Sequence, residues 1–391
     1  MRHDEGPGRG LDPRSMTMPG DAWIVLREAR PPRWGGQIRR RHVFARLADR
    51  TGAAVFEDEF SDRGLRRAML GPVLGRLPAR LGRRFAGAGR PRLAASEKLR
   101  EPVLRTIAAL TVPTAVAIYD DPIAQAATLG VTLDPDWART LRRRLVANRD
   151  AFRWLVVPTK SFAELAGLPL DRVIVGGNGT DTSTVIPGPW PAEPTIGMVS
   201  GAAPGRGIES LAEAVRLVRT TIPGVRLRLW LLASTQATRR YLDELRHSLA
   251  SATWVRIAEA PYSSLGETLA EASILTIPHP ANPYLDTALP VKLFDSLAAG
   301  RPLVVTPRLE TARVVSEFRV GAVTAGDRPE DIAAALVRLL ADPDGLRATG
   351  AHARDVARTV FDWRVVGDRI ATAVLAREAQ AAEAQSPPAV T

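Results

Sequence analysis

The stretch PVKLFDSLAAGRPLVVTP, residues 290–307, has the pattern of a short helix that leads directly into a buried strand. Pro290 suits the first turn of a helix, where its missing N–H group is no loss. The segment RPLVVTP that follows contains an apolar, β-branched run, as buried parallel strands do. A helix that feeds such a strand is the repeating unit of α/β proteins. The segment therefore predicts an α/β fold.

The same alternation of apolar runs and amphipathic helices occurs along most of the chain. In the first half the predicted strands are AWIVLREA (22–29), AAVFEDE (53–59), PTAVAIYDD (113–121), FRWLVVPTK (152–160) and DRVIVGGNG (171–179). In the second half they are TIGMVSG (195–201), VRLRLWLLA (225–233), TWVRIAEA (253–260) and ASILTIPHP (272–280), followed by the strand of the opening segment. These runs are apolar on both faces, which is typical of strands covered by helices on both sides. We predict two Rossmann-like, doubly wound sheets.

The length of 391 residues favours two domains, and a proline-rich segment separates the two series of strands. The boundaries we predict are a disordered leader (1–20), an N-terminal domain (21–182), a linker (183–194), a C-terminal domain (195–375) and a disordered tail (376–391). Ligands of doubly wound sheets bind beyond the carboxyl ends of the strands. With two such sheets, the expected site is the cleft between them.

The composition excludes several classes of site. The chain has no cysteine and five histidines, so neither disulfides nor a metal centre are expected. No apolar run approaches the ~20 residues that span a bilayer, and the first twenty residues lack the apolar core of a signal peptide. We therefore expect a cytoplasmic protein.

The net charge of +11 is concentrated between Arg63 and Arg92, where nine arginines occur without an acidic residue. A solvated basic loop and a basic surface that rests on the anionic inner face of a membrane both fit this stretch. Nucleic acid fits it less well, because Phe85 is its one aromatic residue for base stacking.

The loop MVSGAAPGRGIESL, residues 198–211, connects a predicted strand to a predicted helix and is rich in glycine. Gly201 and Gly207 allow the backbone to approach a ligand closely, and the helix start offers free N–H groups to a phosphate. Arg206 adds a cation of forked shape. An ordinary strand-to-helix turn explains the glycines equally well. The loop PRWGGQIRR, residues 32–40, offers Gly35 and Gly36 after the first strand in the same way.

Lys292 stands out because only three of the 53 basic residues are lysine. It lies in the first turn of the predicted helix, where the helix dipole disfavours positive charge. A compact ammonium group is favourable there when it faces a bound diphosphate. Asp295 lies one turn further on the same side and can accept hydrogen bonds from a ribose. The alternative is a simple ion pair between Lys292 and Asp295.

These residues resemble the donor-binding motif of GT-B retaining glycosyltransferases, the bacterial family 4 group. The shared positions of the motif are Pro290, Lys292, Asp295, Ala298, Gly300, Pro302, Val304 and Val305. The motif Asn178, Gly179 and Asp181 resembles the end of that family's first domain, and the glycine loops at 35–36 and 201–207 resemble its two ligand loops. The resemblance covers residues 22 to 375 and is weakest between 60 and 150.

The sequence also departs from the family pattern. Gly201 stands where the family has an arginine that contacts the donor phosphates. Thr287 stands at the position of its first glutamate, and Asp286 is the adjacent candidate. The family's first-domain histidine is absent, and Asp120 and Asp121 occupy that region. The resemblance thus implies donor binding and leaves the catalytic residues unassigned.

The resemblance implies transfer of a sugar from a nucleotide-diphospho-sugar to an acceptor hydroxyl, with retention and without a metal or other cofactor. Donor binding is expected from Gly201, Arg206, Gly207, Asp286, Lys292 and Asp295. Contact with the acceptor is expected from Gly35, Gly36, Asp120 and Asp121. The acceptor is open between a lipid-linked molecule and a saccharide. Two alternatives are a nucleotide-sugar 2-epimerase of the same fold and a non-catalytic descendant that binds sugar nucleotides or membranes.

Overall fold

The structure is a computed structural model of the chain. It describes residues 23–28, 35–52, 54–58, 92–96, 113–117, 121–128, 132–233, 235–259 and 264–384. The predicted leader, Asp120 and all of the basic stretch except Arg92 lie outside the described residues.

The first half of the described chain forms a parallel sheet with the strand order β2-β1-β3-β4-β5-β6. Its strands are β1 (Trp23–Glu28), β2 (Ala54–Asp58), β3 (Arg92–Ser96), β4 (Pro113–Ala117), β5 (Trp154–Val157) and β6 (Val173–Val175). Its helices are α1 (Gly35–Thr51), α2 (Pro122–Thr128), α3 (Pro135–Ala151) and α4 (Lys160–Leu165). The sequence did not predict β3, because its segment RLAAS contains no β-branched residue.

The second half forms another parallel sheet, with the order β12-β11-β10-β7-β8-β9. Its strands are β7 (Thr195–Gly201), β8 (Arg226–Leu232), β9 (Val255–Ala258), β10 (Ile274–Ile277), β11 (Leu303–Val305) and β12 (Gly321–Val323). The helices are α5 (Ile208–Thr221), α6 (Gln236–Ser248), α7 (Leu265–Ala270), α8 (Pro283–Thr287), α9 (Val291–Ala298), α10 (Leu309–Phe318), α11 (Pro329–Leu340) and α12 (Pro343–Val356). The doubly wound α/β architecture predicted from the sequence is confirmed.

The second sheet is buried on both faces, as the uniformly apolar strands predict. One face packs against α5 and α11, with Met198 and Leu227 inaccessible to solvent. The other packs against α9, whose Phe294 and Leu297 are inaccessible as well. The opening segment therefore supplies both a core helix and a core strand, and burial of each such side chain stabilises the fold by about 1.5–3 kcal/mol.

The last helix, α13 (Trp363–Glu383), returns to the first sheet and packs along α1. Arg46 of α1 forms a bidentate ion pair with Asp368 of α13, at 2.8 and 3.1 Å. Glu378, only 3% exposed, accepts a hydrogen bond from the Trp154 indole at 2.5 Å. The helix continues to Glu383, past residue 376, where the sequence predicted a disordered tail to begin. The boundary predicted at residue 375 likewise falls inside α13.

Arg301 ties the proline-rich segment to the second half of the chain. Its side chain is 1% exposed and donates hydrogen bonds to the carbonyl oxygens of Ala270, Ala272, Gly188 and Pro189 at 2.7–3.1 Å. Its guanidinium also lies 4.4 Å from the centre of the Trp190 ring.

Within the described ranges, no helix is both long and apolar enough to cross a membrane.

Candidate functional site

The candidate site lies where the connections of the second sheet change direction. The chain starts at β7 and adds β8 and β9 on one side, then β10, β11 and β12 on the other. The loops after β7 and β10 therefore diverge to opposite faces of the sheet and leave a crevice at its carboxyl edge. Arg206 follows β7, His279 follows β10 and Arg308 follows β11, so three adjacent strands deliver these side chains to one edge.

The glycines of the loop after β7 have different surroundings. Gly201 is exposed and has open space where a side chain would be. Gly207 has a φ of +75°, and a Cβ there would lie 1.8 Å from the carbonyl oxygen of Pro278. The sequence interpretation was that both glycines admit a ligand. Only Gly201 faces free space, whereas Gly207 is required by packing of the loop against Pro278.

Lys292 occupies the second position of α9, which begins at Val291. Pro290, predicted to lie in the first turn, is the extended N-cap residue, and Lys292 lies in the first turn as predicted. No carboxylate forms an ion pair with it among the residues that the structure describes, and no ion pair joins it to Asp295. Desolvation, followed by the charge of Arg206, lowers the pKa of Lys292 from 10.5 to about 7. A cation held without a counter-ion beside a second cation favours an anionic ligand.

His279 and Arg308 are site residues that the sequence did not single out. His279 is 2% exposed, and neither of its ring nitrogens has a hydrogen-bond partner within the described ranges. Burial holds the pKa of His279 well below its usual 6.5. The charges of Lys292, Arg206 and Arg308 lower this pKa further. His279 lies near the end of the predicted strand 272–280 and Arg308 directly follows the segment RPLVVTP, and a polar residue at such a strand end is the sequence signal that points to them.

Asp295 is buried, with 5% of its surface exposed. One carboxylate oxygen accepts a hydrogen bond of 2.7 Å from the Thr180 hydroxyl, so the side chain joins α9 to the segment after β6. Burial raises the pKa of Asp295 to about 7, and the charge of Asp181 adds to this effect. Asp286 is more exposed and forms an ion pair of 3.3 Å with Arg308. The ribose role proposed for Asp295 stays a prediction.

The candidates in the first half of the chain have structural roles of their own. Gly35 and Gly36 are the first residues of α1 rather than part of a loop. Asp121 caps α2, because its carboxylate accepts hydrogen bonds from the backbone N–H groups of Ile123 and Ala124 at 2.9 and 3.1 Å. The predicted contact of these residues with an acceptor stays a prediction.

Contacts between the two halves lie next to the candidate site. The Thr159 hydroxyl donates to the backbone oxygen of Thr287 at 3.1 Å, and the Asn178 amide donates to that of Leu289. On the opposite side, a Cβ at Gly205 would lie 2.9 Å from the Thr128 carbonyl oxygen, so the glycine loop touches the end of α2. The carboxyl edges of the two sheets therefore meet around Lys292, as predicted for the cleft.

The arrangement is suited to binding an anion rather than to holding a metal. Lys292, Arg206 and Arg308 supply positive charge, and Asp286 is the carboxylate paired with Arg308. No group of three or more histidine and carboxylate side chains that could hold a metal occurs in the described part of the chain. The buried ends of β10 and β11 lower the effective dielectric around these cations, which strengthens their attraction for a phosphate.

Comparison with known proteins agrees with this geometry. Residues 193–342 match the family model described as Glycosyl transferases group 1. This range includes every candidate of the second half of the chain. None of the curated proteins is significantly similar to the chain in sequence.

Solved structures share the fold at low sequence identity. A sucrose-phosphate synthase from Thermosynechococcus elongatus has a TM-score of 0.64 and 14% identity, over 93% of this chain and 100% of that one. HepE of Anabaena, solved in complex with UDP-glucose, has a TM-score of 0.65 and 14% identity, over 91% and 99%. A glycosyltransferase from Rickettsia africae has a TM-score of 0.61 and 10% identity, over 90% and 99%. Residues 193–342 therefore match the glycosyl transferases group 1 model, and the chain has the GT-B fold of these solved structures.

Proposed function

We propose that the protein transfers a sugar from a nucleotide-diphospho-sugar donor to an acceptor hydroxyl, with retention of configuration and without a metal or organic cofactor. The observation that carries this proposal is the desolvated Lys292, which has no ion pair with any described residue and lies beside Arg206 at the crevice of the segment that matches the group 1 model. The complex of HepE with UDP-glucose supports the donor class, because HepE has the same fold.

The chemistry follows from the charges of the site. The acceptor oxygen forms a bond to the anomeric carbon of the sugar, while the bond from that carbon to the diphosphate oxygen breaks. The diphosphate leaves with the electron pair, and the hydroxyl proton passes to one of its oxygens on the same face of the sugar. Lys292 and Arg206 stabilise the negative charge that develops on the diphosphate, which is the role that a metal ion plays in other enzymes.

Binding by calorimetry tests the donor class. UDP, GDP and ADP are titrated into the wild-type protein, Lys292→Ala, Lys292→Arg and the matched control Lys160→Ala. Lys160 is an exposed lysine of α4 whose side chain pairs with Glu164. We expect no detectable binding with Lys292→Ala, weaker binding with Lys292→Arg because the guanidinium has a different shape, and unchanged binding with the control. An Arg variant of wild-type affinity would show that charge alone suffices.

Turnover separates the proposed reaction from its alternatives. A panel of sugar nucleotides is incubated with the protein, and the products are identified by mass spectrometry and NMR. Release of the nucleoside diphosphate with an added acceptor supports transfer. An isomerised donor supports the epimerase, and binding without turnover supports a non-catalytic descendant. NMR of the product's anomeric proton decides between retention and inversion, and turnover in the presence of EDTA tests independence from metals.

Contact with an anionic membrane remains a proposal that rests on the sequence between Arg63 and Arg92. If this stretch binds lipid, the protein should co-sediment with anionic vesicles and be released by salt, because exposed charges are screened within about 8 Å at physiological ionic strength. Replacement of its central arginines by serine (Arg76, Arg80, Arg83 and Arg84) should abolish sedimentation and leave nucleotide binding intact. Such a result would favour a lipid-linked acceptor, and absence of sedimentation would favour a soluble one.

A further inference from the structure

His279 is a buried polar side chain that the fold leaves without hydrogen bonds. Both ring nitrogens are shielded from solvent and unpartnered among the described residues, although its backbone oxygen accepts a hydrogen bond of 2.6 Å from Thr306. A buried polar atom without a partner costs free energy that a carbon atom in its place would not. An aromatic ring of similar size would therefore pack at this position at a lower cost.

The surroundings of the ring indicate what its partner would be. The ring lies within electrostatic range of the positive charges of Lys292, Arg206 and Arg308, which come from three separate segments of the chain. These charges and burial keep the imidazole neutral, so it carries one N–H donor and one acceptor nitrogen. None of the three cations donates a hydrogen bond to the ring. An anionic oxygen that binds among these cations would find the ring N–H as an additional donor.

We propose that His279 is a further ligand-contacting residue, whose ring N–H donates a hydrogen bond to a phosphate oxygen of the molecule that binds between Lys292 and Arg206. The inference rests on the proposed function for the identity of that molecule, a nucleoside diphosphate or its sugar derivative. His279 would thereby add a neutral, directional hydrogen bond to a site otherwise built from charges, and it would fix the orientation of the phosphate.

The glycine loop lies against the chain next to His279. It packs on Pro278, the residue before His279, and reaches Thr128 on the opposite side of the cleft. Gly205 and Gly207, with φ of +71° and +75°, allow backbone conformations that other residues rarely adopt. In the proposed complex this loop shifts with the arriving ligand, so that the shielded ring nitrogen meets a phosphate oxygen.

The test compares His279→Phe, which keeps the ring shape and removes both nitrogens, with His279→Gln, which restores an uncharged N–H donor. The matched control is His247→Phe, because His247 lies on the exposed face of α6. The probes are inorganic pyrophosphate and the nucleoside diphosphate that the wild-type protein binds most tightly. Affinities are measured by calorimetry, and thermal unfolding without ligand is measured for every variant.

We expect His279→Phe to weaken binding of both probes by about tenfold to a hundredfold, the usual effect of one hydrogen bond to a charged group. His279→Gln should recover a large part of the affinity, and the unfolding temperature of His279→Phe should be unchanged or higher. In protein labelled with 15N-histidine, the ring signal of His279 is identified as the one absent from the spectrum of His279→Gln. Addition of the probe to the wild-type protein should shift this signal.

Three results would overturn the inference or the function on which it rests. If the wild-type protein binds nucleoside diphosphate and His279→Phe binds it equally well, the inference is wrong and the proposed function stands. If the ring signal of His279 does not move on binding, the inference is also wrong. In the third result, the wild-type protein binds pyrophosphate but no nucleoside diphosphate, and His279→Phe does not bind pyrophosphate. The contact of His279 with phosphate is then supported, and the proposed donor class fails.

Discussion

Lys292→Met should make the ligand-free protein more stable, although it removes a residue of the proposed binding site. The folded chain holds Lys292 with a pKa of about 7, whereas the ordinary value is 10.5. The difference corresponds to at most about 5 kcal/mol, because one pH unit of pKa is about 1.4 kcal/mol. Methionine keeps the length of the apolar stem and removes the desolvated charge.

The lowered pKa of Lys292 also determines how the free energy of unfolding changes with pH. Between pH 7 and 10.5 the unfolded chain binds a proton at Lys292 that the folded chain does not, so wild-type stability rises with pH in this window. The advantage of Lys292→Met should therefore have an upper limit of about 4 kcal/mol at pH 7 and fall to about 2 kcal/mol at pH 9. Lys160→Met is the control. Its side chain is 70% exposed, so its effect should stay below about 1 kcal/mol at both pH values.

The measurement is unfolding in guanidinium chloride at pH 7 and pH 9, followed by tryptophan fluorescence, together with calorimetric titration of nucleoside diphosphates. We expect Lys292→Met to unfold at a higher denaturant concentration than the wild type and to bind no nucleotide. A variant that is less stable than the wild type at pH 7 would refute the reasoning. A stability difference that does not change between the two pH values would refute it as well, because the effect would then not come from the lysine charge.

Further substitutions test other parts of the site and fold. Asp295→Asn should weaken binding of nucleoside diphosphate if the carboxylate holds the ribose. The stability of this variant relative to the wild type should increase from pH 4 to pH 7. The reason is that the pKa of Asp295 is about 7 in the folded wild type and 3.8 in the unfolded chain, so the wild type loses stability over this range. Denaturation at both pH values checks this expectation. Arg301→Met should destabilise the protein by about 3 kcal/mol or more in the same assay, since it leaves buried carbonyl oxygens without donors. Gly207→Ala should lower both stability and nucleotide affinity, because its Cβ would meet the Pro278 oxygen, whereas Gly201→Ala should leave the unfolding temperature unchanged and lower affinity alone.

The sequence by itself determined the fold class and identified Lys292 as a residue of the candidate site. The apolar runs are strands because burial on both faces demands such residues, and this holds whatever the neighbours in the sheet are. Lys292 could be identified because a rare residue type stands at a helix start, where local electrostatics disfavour it. Strand β3 was missed because the prediction relied on apolar, β-branched runs, and the alanines of β3 carry no strand preference.

Only the tertiary structure decided which side chains share the site and what each of them contacts. The order β11-β10-β7 brings Arg308, His279 and Arg206 to one edge, and hydrogen bonding between strands far apart in the chain fixes that order. Gly207 is constrained by a carbonyl group beyond the next strand in the sheet, so its loop pattern alone could not distinguish packing from ligand binding. The return of α13 to α1 likewise depends on contacts across the whole chain. Local sequence fixes backbone preference and burial, whereas a binding site is a set of long-range distances, and these exist only once the sheets have formed.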